Sequence, residues 1–205
     1  MMDSQAALKL ARQTITRQAE CLRELSEGLD DRLWEVARLI VDRPGIVWVT
    51  GVGTSAAIGL RFAHILTDCG VRSIFLSPDM GLHGHSGALA AGEILLAVSR
   101  GGESREVNQM VEIANKRGLT TVALVHDTDS TLAHSCAMVL PVRSPKDYEL
   151  GGYVATTSTV MACGMCDAVA SIVLQLTGYT AEDLRLTHPG GAVGQVLGDP
   201  DRQPS

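Results

Sequence analysis

The sequence predicts an α/β fold, in which a parallel sheet of five strands carries helices on both faces. Short apolar runs recur along the chain, turn residues such as glycine and proline bound most of them, and segments with the apolar spacing of a helix lie between them. Alternation of strands and helices is typical of a parallel sheet that is covered on both sides. The predicted architecture is therefore a three-layer α/β/α sandwich, preceded by N-terminal helices.

Residues 1–45 are predicted to form amphipathic helices ahead of the sheet. Leu8, Ile15, Leu22 and Leu29 recur every seven residues, and charged residues fill the other helical faces. A helix with such an apolar stripe must bury it against another surface. We expect the stripe to pack both on its own domain and on a partner subunit, so the sequence predicts an oligomer.

The remaining chain is predicted to be one domain over residues 46–198, followed by a frayed polar tail at 199–205. A loop at 144–152 leads into a long apolar helix at 156–176, and a helical tail follows at 181–197. The five strands are predicted at residues 46–50, 71–76, 94–98, 120–125 and 137–142.

Composition argues against several classes of protein. The 205 residues carry a net charge of −6 and no basic cluster, so nucleic acid is not an expected partner. No apolar run approaches the length of a membrane span, and no signal-peptide pattern opens the chain, so no membrane association is expected. Five scattered cysteines suit a reducing cytoplasm, and Cys163 and Cys166 are expected to pack inside an apolar helix.

Two loops rich in glycine and hydroxyl side chains follow the first and third predicted strands. Each opens a helix, so backbone N–H groups, hydroxyls and the positive end of a helix dipole are available to an anion such as phosphate. Both loops would lie at the crevice where the strand order reverses. Ordinary turns between a strand and a helix have a similar composition, so one loop alone would not establish a site. The loop residues are Gly53, Thr54, Ser55, Ser99, Arg100, Gly101 and Ser104, the last of which is predicted to cap its helix.

The first loop also contains the pattern Gly-x-Gly-x-x-Ala at 51–56, which occurs in dinucleotide-binding folds. That pattern requires an acidic residue at the end of the second strand, whereas Asp79 lies beyond a proline. No cofactor is therefore expected. His83 and His85 could ligate a metal ion, but loop histidines are more often site-lining or surface residues, so no metal is predicted.

Three motifs together resemble the sugar isomerase (SIS) domain family, and most closely its arabinose 5-phosphate isomerase branch. They are Gly-x-Gly-Thr-Ser at 51–55, Ser-x-x-Gly-Glu-Ser-x-Glu at 99–106 and His-Pro-Gly-Gly-Ala at 188–192. The resemblance covers residues 30–198 and does not include the CBS domains that often follow this domain. It implies a flavodoxin-like sandwich on five parallel strands, and a homodimer or homotetramer with sites near the subunit interfaces.

The resemblance also implies roles for residues at matching positions. Ser55, Ser99 and Ser104 match positions that hold the sugar phosphate, and Glu106 and His188 match acid–base positions. Interconversion of an aldose and a ketose passes through an enediol, so it needs a base for a carbon-bound proton and a group that serves the oxygens.

Further positions follow from the same resemblance, with one departure. A glutamate of the family aligns with Asp147, although Glu149 could reach the same place. His83 matches a histidine of the family's site. Thr157 belongs to a run of hydroxyl residues that lies close to the bound sugar in relatives. The branch has a lysine where this chain has Thr54. Without that cation, a developing enediolate loses electrostatic stabilisation.

The sequence therefore predicts a cytoplasmic phosphosugar isomerase that binds a phosphorylated sugar and uses no cofactor. Arabinose 5-phosphate and ribulose 5-phosphate are the favoured pair, with Glu106, His188 and Asp147 as catalytic candidates. Two alternatives stay open. One is a phosphosugar-binding or sensing protein without turnover, and the other is a lyase- or etherase-like relative that acts on an amino-sugar phosphate.

Overall fold

The computed structural model describes residues 3–188. The predictions for residues 189–205, including most of the His-Pro-Gly-Gly-Ala motif, lie outside the described residues. The helices are α1 (Ser4–Glu27), α2 (Asp31–Asp42), α3 (Thr54–Asp68), α4 (Pro78–Leu82), α5 (Arg105–Lys116), α6 (Thr131–Ser135), α7 (Thr157–Thr177) and α8 (Ala181–Thr187). The strands are β1 (Val47–Gly51), β2 (Ser73–Phe75), β3 (Ile94–Ser99), β4 (Thr120–Val125) and β5 (Met138–Pro141).

The five strands form one parallel sheet in the order β2-β1-β3-β4-β5. The chain runs outward from β1 to β2 on one side and from β3 to β5 on the other. In this flavodoxin-like order a crevice opens between the carboxyl ends of β1 and β3. Gly51 pairs with Val98, and Ser99 pairs with Val125, so the loops after β1, β3 and β4 start at similar levels.

Both faces of the sheet are buried. Leu96 and Val98 of β3 belong to an apolar cluster with α2, α3 and α7, whereas Leu95 and Ala97 belong to a cluster with α5 and α6. Successive side chains of a strand point to opposite faces, so two buried faces require a continuous apolar run. The predicted three-layer α/β/α sandwich is confirmed.

Two loops contain short elements that the sequence did not reveal. Helix α4 and a 3₁₀ turn at His85–Ala88 lie after β2, and a second 3₁₀ turn at Lys146–Tyr148 precedes α7. Elements of three to five residues are too short to show helical periodicity. Local signals start α4 instead, because a serine caps it and a proline occupies its first turn.

Helix α7 is long and apolar enough, by length and composition alone, to cross a membrane. The expectation that no apolar run approaches that length was therefore wrong. In the described structure α7 is a core helix that packs against α2 and α3, and its Asp167 pairs with Arg61 of α3 at 2.7 Å.

Cys166 is buried and Cys163 is half-buried, in agreement with the packing role expected of them.

The apolar stripe of α1 is buried only toward its C-terminal end. Cys21 is buried and Leu25 packs against the core, but Leu8 and Ile15 are 56% and 67% exposed. The first turns of α1 therefore present an apolar stripe that the described residues do not cover.

Candidate functional site

A cleft opens at the carboxyl ends of β1, β3 and β4, where the strand order reverses. The first turns of α3 and α7 complete its walls, and Ile58, Val98 and Leu124 contribute apolar surface. A small number of polar groups around an apolar floor is the usual form of a small-molecule site. The polar lining residues are Thr54, Ser55, Ser99, Arg100, His126, Ser158 and Thr159.

The loop after β1 presents the N-terminus of α3 to this cleft. Gly53 is the residue before the helix and has a φ of 56°, a conformation that side chains other than glycine rarely adopt. Within residues 3–188 no side-chain hydrogen bond caps α3. The N–H groups of the exposed Thr54 and the half-buried Ser55 are therefore available to an anion, whereas the Ala56 N–H donates to the carbonyls of Val52 and Gly53.

The loop after β3 has a fixed shape. Ser99 is buried, and its Oγ accepts a hydrogen bond from the Gly102 N–H at 3.2 Å. Gly102 has a φ of 69°, and a Cβ there would lie 2.1 Å from Ser130 Oγ, so only glycine fits. Nothing lies within 4 Å of a Cβ built at Gly101, which leaves open space in front of that residue.

Ser104 and Glu106 begin α5, but the predicted cap does not form. Ser104 occupies the capping position, yet its side chain makes no capping hydrogen bond. The Asn108 amide instead donates to the Gly102 carbonyl at 3.2 Å. Glu106 is exposed in the first turn of α5, where the helix dipole favours a carboxylate. Phosphate binding by Ser104 and proton transfer by Glu106 stay predictions.

Glu149 is the carboxylate that the structure places beside the cleft-lining Arg100. It is buried, and its Oε2 accepts hydrogen bonds from the N–H groups of Thr156 and Thr157 at 2.6 and 2.9 Å. Its Oε1 accepts from the Ser158 N–H at 3.2 Å and lies 3.2 Å from Arg100 Nη2. Glu149 therefore caps α7 and holds the Arg100 guanidinium at the cleft.

The charge of Glu149 is stabilised by these contacts. Burial by itself raises the pKa of Glu149, but hydrogen bonds from Ser158 and Thr156, together with the Arg100 charge, bring that pKa below its ordinary value. The side chain therefore stays ionised at neutral pH. Its role in the described chain is to position Arg100 and α7.

Asp147 and Thr157 lie near Glu149 but are oriented differently. Asp147 is exposed in the 3₁₀ turn. Thr157 is fully buried, and its Oγ1 donates a hydrogen bond to the Tyr148 carbonyl at 2.7 Å. Ser158 and not Thr157 lines the cleft, and the sugar contact of Thr157 stays a prediction.

His126 lines the cleft and was missed by the sequence reasoning. It follows β4 directly, and its Nδ1 accepts a hydrogen bond from the Ser144 N–H at 2.8 Å. In the neutral ring Nε2 therefore carries the proton, which makes His126 a hydrogen-bond donor at the cleft. Its position at the end of a predicted strand is a signal that could have identified it.

The two other predicted histidines do not line the cleft of this chain. His188 Nε2 is 3.8 Å from Asp68 Oδ1 at the C-terminal end of α3, whereas Ser55 lies at the N-terminal end. The length of this helix separates them by about 20 Å. His83 is exposed, and its Nδ1 lies 2.8 Å from the Asp79 carbonyl oxygen. Within one chain His188 therefore lies far from Ser55, and His83 contacts its own loop without lining the cleft.

The fold and the cleft define a class: a flavodoxin-like α/β domain whose hydroxyl-bearing loops meet in a cleft at the strand-order reversal. The model of the SIS domain matches residues 43–171, so the chain belongs to the SIS domain family. The family resemblance predicted from the loop motifs is confirmed.

Solved structures share the fold of this chain, and a curated relative matches most of its length. Arabinose 5-phosphate isomerase KdsD of Escherichia coli K12 is 29% identical over 186 residues, which cover 91% of this chain and 57% of the relative. The chain therefore spans a little over half the length of this relative. The structure of a candidate sugar-phosphate isomerase from Listeria monocytogenes has a TM-score of 0.88 and 28% identity, and the match covers 93% of this chain and all of that chain. The structure of an Escherichia coli CFT073 protein in complex with arabinose 5-phosphate has a TM-score of 0.87 and 22% identity, covering 92% and 100% of the two chains.

Proposed function

We propose that the protein is a phosphosugar isomerase that interconverts an aldose phosphate and a ketose phosphate through an enediol. The observation that carries this proposal is the convergence of Ser55, Ser99 and Arg100 with the uncapped N-terminus of α3 at one cleft. Relatives named arabinose 5-phosphate isomerase, matched over 91% of this chain, support arabinose 5-phosphate and ribulose 5-phosphate as the substrate pair.

The phosphate group would bind between the two glycine-containing loops. The Oγ of Ser99 already accepts a hydrogen bond from Gly102, so its proton is free to be donated to a phosphate oxygen. Ser55 and Ser104 would add hydroxyl donors, and the first turn of α3 would add amide donors. The open surface at Gly101 allows the ligand to approach the backbone.

Arg100 would supply the positive charge that a lysine supplies in the arabinose 5-phosphate isomerase branch. Thr54 occupies the position of that lysine and lines the same cleft. The guanidinium has five N–H donors, and the contact with Glu149 Oε1 uses only part of that capacity. Arg100 could therefore bind an anionic oxygen while Glu149 holds it in place.

Proton transfer would use Glu106 as the base that moves a proton between the first two carbons of the sugar. His126 would donate its Nε2 proton in a hydrogen bond to a sugar oxygen. His188 could take part only from a second subunit, because within one chain it lies at the far end of α3. Asp147, exposed in the 3₁₀ turn before α7, is a further catalytic candidate without an assigned step.

Association into a homodimer or homotetramer is part of the proposal. The exposed stripe of Leu8 and Ile15 on α1 supports it, because exposed large apolar side chains on one helix face favour contact with a partner. Such an assembly would allow one subunit to complete the cleft of another.

The test measures exchange of carbon-bound hydrogen with solvent. The protein is incubated in heavy water with arabinose 5-phosphate or with ribulose 5-phosphate, and NMR monitors the sugar. We expect deuterium at the first or second carbon of the sugar, because an enediol exchanges its proton with solvent. Glu106→Gln should abolish the exchange, while the matched variant Glu112→Gln, on the same helix and exposed, should retain it. Turnover that survives in Glu106→Gln would contradict the assignment of the base.

Thr54 favours a second candidate, a sensing protein that binds phosphosugars without turnover. In that case the sugar signals would broaden on binding and no deuterium would enter the sugar. Thr54→Lys should then leave exchange absent if the chain has lost other catalytic groups. If the missing cation is the limiting defect, the same variant should increase exchange.

A further inference from the structure

A second group of potential ligand atoms lies away from the cleft, where α3 and α8 end. His64, Asp68 and His188 each offer one ligand atom, and these atoms lie within 4.8 Å of one another. His64 and Asp68 are one helical turn apart on α3, so their side chains share a face. His188 approaches the same carboxylate from α8. In residues 3–188 no other set of three histidine, cysteine or acidic side chains converges in this way.

The distances differ from those of simple histidine–carboxylate hydrogen bonds. His64 Nε2 lies 3.4 Å from Asp68 Oδ2, and His188 Nε2 lies 3.8 Å from Asp68 Oδ1. Both exceed the hydrogen-bond range of about 2.7–3.2 Å. Ligand atoms around a tetrahedral ion with bonds of about 2.0–2.2 Å lie about 3.3–3.6 Å apart. The His64 contact falls in this range and the His188 contact is slightly longer, and the two histidines face different oxygens of the Asp68 carboxylate. By contrast, His134 Nε2 lies 2.9 Å from Asp129 Oδ1, as in a direct hydrogen bond.

The His188 ring has the tautomer that a metal ligand needs. Its Nδ1 lies 3.1 Å from the Leu184 carbonyl oxygen, which can only accept a hydrogen bond, and 3.1 Å from Thr187 Oγ1. The Thr187 hydroxyl donates its own proton to the same carbonyl at 3.0 Å, so both neighbours of the neutral ring are satisfied when Nδ1 carries the proton. The lone pair is then on Nε2, the atom nearest to Asp68. Metal-binding histidines commonly donate their second N–H to a backbone carbonyl in this manner.

The charge around Asp68 also favours a cation. Asp68 is the last residue of α3, where the helix dipole is negative, and the last turn contains no lysine or arginine. Its salt-bridge contacts in the described chain are His64 and His188 alone. The Asp68 side chain is 26% exposed and that of His188 is 28% exposed, so bulk water screens their contact only in part.

We propose that His64, Asp68 and His188 bind a divalent transition-metal ion of the zinc type. The two Nε2 atoms and the carboxylate would be the protein ligands, and water would complete the coordination. Two imidazoles with one carboxylate are a donor set that zinc accepts. The ion would join the end of α8 to the end of α3, and one His188 side chain could not ligate it and transfer a proton at the same time.

The test uses the full chain without an affinity tag, stripped of metal with a chelator. Titration with Zn²⁺ in a calorimeter should show one ion per chain, and His64→Ala, Asp68→Asn and His188→Ala should each weaken binding by more than about tenfold. His64 is 68% exposed, so its replacement should not affect folding. With Co²⁺ the wild-type spectrum should show nitrogen and oxygen coordination without a thiolate charge-transfer band, which separates this site from the five cysteines.

Two control variants make the experiment specific. His134→Ala removes an exposed histidine that is paired with one carboxylate, and His83→Ala removes the histidine of the loop after β2. Both should keep the wild-type affinity. Absence of Zn²⁺ binding, a thiolate band, or a loss of binding in either control would each overturn the proposal. No sugar is present, so the result is independent of the proposed isomerase activity.

Discussion

Glu149→Gln tests the arrangement that holds Arg100 at the cleft. The substitution removes the charge and keeps the shape of the side chain. If the glutamine carbonyl keeps the hydrogen bonds from Thr156 and Thr157, the new NH₂ group faces the Ser158 N–H and the Arg100 guanidinium. Both of these groups are donors, so neither contact can form.

The expected loss of stability follows from the contacts removed. One hydrogen bond to a charged acceptor contributes about 1.5–3 kcal/mol. The ion pair adds about 0.5–1 kcal/mol, since the Arg100 side chain is 32% exposed and solvent screens its charge. Glu149→Gln should therefore lower the free energy of unfolding by about 2–4 kcal/mol, which corresponds to a fall in Tm of about 5–15 °C for a chain of this length.

The pH dependence gives a second measurement. The pKa of Glu149 is lower in the folded protein than in the unfolded chain, so the ionised carboxylate stabilises the fold. This stabilisation is complete above the ordinary glutamate pKa of about 4.3 and is lost as the pH falls through the lower folded value. Thermal unfolding followed by circular dichroism should show a large gap between wild type and variant at pH 7, and a smaller gap below about pH 4.

Asp147→Asn is the matched control, because Asp147 is an exposed carboxylate two residues away. It should change the free energy of unfolding by less than about 0.5 kcal/mol. Equal melting of Glu149→Gln and wild type at pH 7 would refute the reasoning. So would an equal loss in the two variants, because the buried contacts would then not be the cause.

Three further predictions concern other parts of the molecule. Glu93 accepts a hydrogen bond from the indole N–H of Trp48 at 2.7 Å. Glu93→Gln should therefore lower the free energy of unfolding in urea by about 1–3 kcal/mol and shift the tryptophan fluorescence. An unchanged urea midpoint would contradict this. Burial raises the pKa of Cys136 to about 11 and raises that of Cys166 further, so iodoacetamide at pH 8 should modify both thiols far more slowly in the folded protein than in urea. Ile15 is 67% exposed, so Ile15→Glu should weaken self-association, measured by light scattering, without lowering the Tm of the monomer. An unchanged molar mass would argue against α1 as an interface.

The regular elements were predictable because their signals are local. Strand β4 occupies the predicted residues 120–125, since its apolar run has turn residues before and after it. Strand β2 is shorter than predicted, at Ser73–Phe75, because it lies at the edge of the sheet and pairs only with β1. The exposed half of α1 shows the limit of periodicity, which indicates an apolar face without indicating what covers it.

The sequence by itself predicted that the loops after β1 and β3 lie side by side at one site. Each loop follows an apolar strand, and parallel strands bring their carboxyl ends to one edge of a sheet. The sequence left the choice between Asp147 and Glu149 open and did not select His126. Only the tertiary structure placed Glu149 against Arg100, His126 at the cleft and His188 beside Asp68. These contacts join residues from separate elements, so they depend on how the helices pack on the sheet, which short-range sequence patterns do not encode.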